Sequence, residues 1–222
     1  MKDNLSALLR VRNLANGDAA LYFYGEIVSD WWDAWSSADK YPEAIRRMLD
    51  GLNGEHLHIY INSPGGSVFA GMAIYNMLSR YKGRKTVHVD GIAASIASVI
   101  AMAGDVIEMP ENTMLMIHRA WASVSGNTEE LARYAELLAK VDNAVVSVYS
   151  ERLNVTDDVE RVIELMGKES YLSAAETAAL FQNVSIKPPI QMAACAKNAG
   201  AIYAASMEYE RLRLLEMKNI GG

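Results

Sequence analysis

The chain has 222 residues, is 51% hydrophobic and 22% charged, and carries a formal net charge of -6. That length can bury a large core without disulfides or metals, and the composition is too apolar for a disordered chain. An acidic balance with no basic run longer than Arg46-Arg47 argues against a phosphate-tracking surface, so nucleic acid is not an expected partner.

Cys195 is the single cysteine, so no intramolecular disulfide and no multi-cysteine metal cluster can form, which fits a reducing compartment. Met1-Lys2-Asp3-Asn4 has no cationic leader followed by an apolar stretch, and the apolar run at 96–103 falls far short of the ~20 residues of a membrane span. A cytoplasmic protein without a membrane partner is expected.

In chain order, residues 20–27 (ALYFYGEI) read as a buried strand. Trp31, Trp32 and Trp35 follow, which suits core or interface packing, and 42–49 give a helical period with Pro42 at a permitted first-turn position. Residues 56–61 (HLHIYI) alternate as a strand does. Asn62-Ser63-Pro64-Gly65-Gly66-Ser67 breaks the pattern before helical spacing resumes over 69–81. The spacing then predicts a strand over 85–90, a turn over 91–94, a helix over 95–103 and short strands over 106–108 and 113–117, the last ending at His118.

Asn127-Thr128-Glu129-Glu130 caps a long helix running to about residue 151, with an apolar stripe of Leu131, Ala135, Leu138, Val141, Val145 and Val148. Such a helix is expected to project from the core. Residues 157–166 give another helix ending at Gly167, and Ser173-Ala174-Ala175-Glu176 opens one more, to 180, as a capping box. Pro188-Pro189 separates an alanine- and methionine-rich tail that turns charged over 208–218 and suits a helix used for assembly. Strands alternating with crossover helices imply an α/β fold on a parallel sheet, with active groups at the strand carboxyl ends.

Ser95 and Gly66 both fall at such ends. A serine hydroxyl is a weak nucleophile unless a base takes its proton, and the chain offers four histidines. His56 and His58 share one strand face, but no third ligand stands at metal-site spacing, so no metal and no other cofactor is expected. His88 lies inside a strand, whereas His118 closes one on the same edge as Ser95. Gly65-Gly66 lacks the Lys-Ser or Lys-Thr of a phosphate loop, while the backbone amides of Gly66 and Ile96 would suit an oxyanion. A third group must orient the imidazole, and residues 142–176 hold several acidic side chains without singling one out.

INSPGGSVFAGMAIYNML (61–78), GIAASIASVIAMAG (91–104) and MLMIH (114–118) together resemble the ClpP peptidases, family S14, over residues 24–176. The resemblance implies a serine endopeptidase with Ser95 as nucleophile, His118 as base and the Gly66 and Ile96 amides as oxyanion hole. The family's third catalytic residue is an aspartate; Glu169 stands at its place here. The proline that follows the base is also replaced, in Arg119-Ala120-Trp121. These departures, together with the opening GEIVSDWW (25–32) and VFAGMAIYNML (68–78), resemble the subgroup that tailed phages and prophages use for head maturation, which implies capsid or scaffold proteins as substrates.

The family's fold is ClpP/crotonase-like, built of repeated ββα units. It implies a peptidase domain over 1–186 with a handle at about 119–151 and a tail over 187–222. It also implies heptameric rings, single or stacked, and an ATPase partner for housekeeping members. The readings left beside capsid maturation are that housekeeping subunit, a crotonase-type acyl-CoA enzyme and a ring-forming assembly protein without turnover.

Overall fold

The computed structural model describes residues 17–29 and 42–189. The expectations for Trp31, Trp32, Trp35, Cys195 and the helical tail lie outside those residues.

The elements are β1 (Ala19–Tyr24), α1 (Pro42–Asp50), β2 (Leu57–Ser63), α2 (Val68–Arg80), β3 (Lys85–Ala94), α3 (Ile96–Ala101), β4 (Val106–Pro110), β5 (Met114–Ile117) and α4 (Thr128–Ser150). After a 3-10 turn at Thr156–Asp158 come α5 (Val159–Gly167), β6 (Ser170–Ser173), α6 (Ala174–Leu180) and β7 (Val184–Lys187). Strands β1, β2, β3, β4 and β7 lie side by side in that order, all parallel. The α/β class and the parallel sheet expected from the alternating pattern are therefore present.

Strand β3 is longer than its sequence suggests. Its first half pairs with β4 and its second half with β5, through Ile92 to Met114 and Ala94 to Met116. Residues 91–94 are thus strand and not the expected turn. The small residues there let the neighbouring backbone come close: a Cβ at Gly91 would lie 2.6 Å from Asn62 Oδ1, where the β2 register shifts. Strand β6 returns antiparallel to β5, pairing Ile117 with Ser170. It and β7 are four-residue strands, too short to show alternation in sequence.

Leu21, Phe23, Ile59, Ile61, Val87, Val89, Ile107 and Met109 occupy alternate strand positions and are buried with Ile45, Ile74, Leu78 and Ile100 of the helices. Parallel sheets are normally covered on both faces. Here the alternate positions carry Tyr22, Tyr60, His58 and His88, half-buried and ring on ring.

Helix α4 opens with the expected capping box, in which Asn127 Oδ1 accepts from the Glu130 amide and Glu130 accepts from the Asn127 amide. Its apolar stripe divides. Its Val141, Val145 and Val148 are buried, with Tyr149 beyond them, whereas Leu131 and Ala135 are exposed and Leu138 is half-buried, and outside the stripe Tyr134 and Leu137 stay exposed as Leu131 does, at 43–45%. The amino-terminal half of α4 accordingly stands clear of the core.

Candidate active site

Three parallel strands end at one edge of the sheet, and each delivers one part of the site: β2 leads to Gly65-Gly66, β3 to Ser95 and β5 to His118. Ser95 adopts φ 55° and ψ -128°, a conformation rare for a side-chain-bearing residue. A residue held there costs on the order of 1–3 kcal/mol and persists only where its surroundings fix it. The Ser95 amide donates to the Met116 carbonyl (2.9 Å), which ties the serine to the strand that carries His118.

Behind the serine, the Ser98 hydroxyl donates to the Ser95 carbonyl (2.5 Å). Because a hydroxyl has one proton to give, Ser98 Oγ then accepts from the Tyr149 hydroxyl at 2.7 Å. Tyr149 is fully buried at the base of α4, and burial pushes its phenol well above the ordinary tyrosine range. This chain from α4 to the serine turn joins residues 51 apart, and no sequence signal announces it.

The strained turn aims the serine at the imidazole. His118 Nε2 lies 2.6 Å from Ser95 Oγ. Val68, Ile96, Val99, Ala120, Val145 and Tyr149 line the cleft around this pair.

Gly65 (φ 98°) and Gly66 (φ 140°) bring a loop against the serine in backbone conformations that favour glycine. A Cβ on Gly65 would sit 2.6 Å from Ser95 Cβ and 2.8 Å from the Ala94 carbonyl, and one on Gly66 would sit 2.2 Å from the Ile27 carbonyl. The loop is held on both sides. Ile27 donates to the Gly65 carbonyl (2.8 Å), Ser67 donates to the Ile27 carbonyl (2.7 Å), and Ser63 Oγ both accepts from the Gly65 amide (3.2 Å) and donates to the Gly25 carbonyl (2.7 Å). Among the described residues that bridge leaves the Gly66 N–H unspent, and the Ile96 N–H belongs to the first turn of α3, where no intrahelical acceptor exists.

Glu169 has φ 50° and follows the C-terminal end of α5. Pairing of Ile117 with Ser170 puts it one register step on, beside His118. Its side chain is exposed, and among the described residues no hydrogen bond joins it to the imidazole. Asp142, another acid in the span left open by sequence, accepts from the Ala120 amide (2.8 Å) and so secures the segment after His118 to α4.

His56, just before β2, and His58, its second residue, lie on the opposite edge. Burial, and then the His58 imidazole, lowers the His56 pKa below the ordinary range; burial also lowers that of His88, against the opposing pull of Glu108.

A family model described as Clp protease matches residues 43–180, more than half of the chain. The chain belongs to the Clp protease family. Among curated relatives, it is 33% identical over 133 residues to an ATP-dependent Clp protease proteolytic subunit of Deinococcus radiodurans, covering 58% of this chain and 64% of the relative. It is 36% identical over 132 residues to the protein of the same description from Chlorella vulgaris, covering 56% and 64%. The chain thus spans a little under two thirds of these Clp relatives. Among the described residues, no helix is long and apolar enough to cross a membrane.

Proposed function

We propose that this chain is a serine endopeptidase and acts as a proteolytic subunit of the Clp type. The observation that carries the reading is the 2.6 Å approach of Ser95 Oγ to His118 Nε2 from a strained serine turn. In the proposed reaction Ser95 donates its proton to His118 Nε2 as Oγ attacks the scissile carbonyl carbon. Negative charge collects on the carbonyl oxygen, which accepts from the Gly66 and Ile96 amides; each such donor is worth roughly 3 kcal/mol in the transition state. The C–N bond breaks as His118 passes its proton to the leaving amine, and water then releases the acyl group by the same steps.

Glu169 completes the set in this reading. Its register position beside His118 supports the role, and its exposed carboxylate must turn toward Nδ1 to orient the imidazole. Assembly would be what brings it there, making activity depend on ring formation. The exposed Leu131, Tyr134 and Leu137 on α4 support self-association into rings. The names of the two relatives favour a protein-degrading subunit with an ATP-dependent unfoldase over cleavage of phage capsid or scaffold proteins. The capsid reading rests on Glu169, Arg119-Ala120-Trp121 and the segments GEIVSDWW (25–32) and VFAGMAIYNML (68–78).

The test is reaction of the full chain with a fluorophosphonate probe, followed by mass spectrometry of the intact assembly. Modification of Ser95, blocked in His118→Ala, is expected. Absence of labelling in every assembly state would remove the peptidase reading in favour of a ring protein without turnover, and thioester turnover surviving Ser95→Ala would favour the crotonase-type reading. Degradation of an unfolded protein only with ATP and an added unfoldase separates the subunit role from capsid cleavage.

A further inference from the structure

The side-chain cluster on the histidine-bearing sheet face lies at the strand starts, with the seven-residue length of β2, roughly 20 Å, between it and the serine edge. His56, just before β2, and His58, within it, have ring centroids 4.3 Å apart. Parallel pairing of Ala19 with Leu57 brings Asp18, from just before β1, level with His56. A ligand atom from each of these three side chains lies within 4.8 Å of the other two. The third ligand missing from the local sequence pattern thus comes from a neighbouring strand start.

The cluster is linked to His88 and Glu108 by short polar contacts. Glu108, 3.1 Å from His88 Nδ1, can only accept as a carboxylate, so His88 donates through Nδ1. In a neutral His88, Nε2 then accepts from His58 Nδ1 at 3.0 Å. This leaves the lone pair of His58 Nε2 directed at Asp18 Oδ2, 3.5 Å away. With both imidazoles neutral, two acceptors face one another, and either a proton or a metal cation must lie between them. The separation is close to the ~3.4 Å edge of a tetrahedron with zinc–ligand bonds of ~2.1 Å.

The outer contacts match as well. A metal-bound imidazole normally donates its other N–H to a fixed partner. His58 has His88 and, through it, Glu108, which Lys187 Nζ holds at 3.0 Å. His56 has Thr86 Oγ1, 2.9 Å from its Nε2, leaving Nδ1 as its ligand atom. Two imidazoles and one carboxylate suit zinc or a neighbouring first-row metal better than calcium or magnesium, which prefer all-oxygen shells.

We propose that Asp18, His56 and His58 bind a divalent transition metal of the zinc class, leaving a fourth position to water or an outside donor. The site stands apart from Ser95 and does not depend on peptidase activity.

The full chain, stripped with a chelator, would be titrated with Co2+ as a spectroscopic substitute for zinc. One equivalent should bind with the intense visible bands of tetrahedral cobalt and be displaced by Zn2+. Asp18→Asn, His56→Gln and His58→Gln should each weaken binding at least about tenfold, and His88→Gln about 10- to 100-fold through loss of its support of His58. His118→Ala and Cys195→Ser should bind as the parent does. Binding weaker than about 100 μM would overturn the site and leave a proton in the gap, as would binding that persists in both Asp18→Asn and His58→Gln. Should the variants unfold, X-ray absorption of the zinc-loaded parent decides: two imidazoles and oxygen support the site, and sulfur or fewer imidazoles reject it.

Discussion

Ser95 is held in its strained conformation by a hydrogen bond on each side, from its own amide to Met116 and from Ser98 Oγ to its carbonyl. Tyr149→Phe removes the hydroxyl behind Ser98 and keeps the ring, so it isolates one support of the turn. The expected loss is about 1 kcal/mol of stability, read by urea unfolding, together with a lower rate of fluorophosphonate labelling at Ser95. Unchanged labelling would mean that the buried phenol supports packing alone. Gly65→Ala is the harsher change, because its Cβ meets the Ser95 side chain and the Ala94 carbonyl at a φ that alanine disfavours. It should abolish labelling and lower the melting temperature, whereas Ser95→Ala should abolish labelling and leave the fold intact. At this scale the placing of Ser95, Gly66 and His118 at one sheet edge could be read from sequence, because Ser95 and His118 follow directly on strands and Gly66 lies in the small-residue loop after β2. Tyr149, Ser98 and Asp18 could not, since their partners lie on other elements and only the packed sheet brings them together.

The termini of the helices were legible for a related reason. A cap is a local contract between a hydroxyl or amide side chain and amides three residues on, and both boxes, Asn127 with Glu130 and Ser173 with Glu176, are present. Residues 91–94 misled because glycine and alanine suit a turn as well as a strand squeezed between close neighbours, and only the register of β2 and β5 decides between them. The Ser173 box has a measurable pH signature. Glu176 accepts from both the hydroxyl and the amide of Ser173, and those bonds, the hydroxyl first, hold its carboxyl below the ordinary glutamate range. A folded-state pKa below the unfolded one means stabilisation that is present above the unfolded pKa and lost as pH falls through the folded one. Ser173→Ala should therefore destabilise the fold near neutrality. Its deficit in thermal or urea unfolding should shrink as the medium is acidified through that lowered value. A deficit independent of pH would show that the hydroxyl acts only as the cap of α6 and not through Glu176.

Across the described residues burial is unevenly distributed, and α4 carries the surface proposed for assembly. The turns of α4 nearest the core bury valines and Tyr149, but Leu131, Tyr134 and Leu137 remain more than two-fifths exposed on the standing half of the same helix. Apolar side chains clustered on one projecting element are a recognised mark of association surfaces. Each leucine-sized side chain removed from water contributes roughly 1.5–3 kcal/mol, so a repeated contact made by several copies would hold a ring firmly. Combined replacement of Leu131, Tyr134 and Leu137 by serine should shift the protein to smaller species in native mass spectrometry or sedimentation velocity. Because these side chains contribute little to the monomer's core, spectroscopic unfolding of the dilute chain should change only slightly, within about 0.5 kcal/mol per site. Loss of assembly together with loss of Ser95 labelling would link the handle to the proposed movement of Glu169 toward His118. Loss of assembly with labelling intact would place the complete catalytic machinery within one subunit. An unchanged assembly size would instead direct attention to surfaces away from α4.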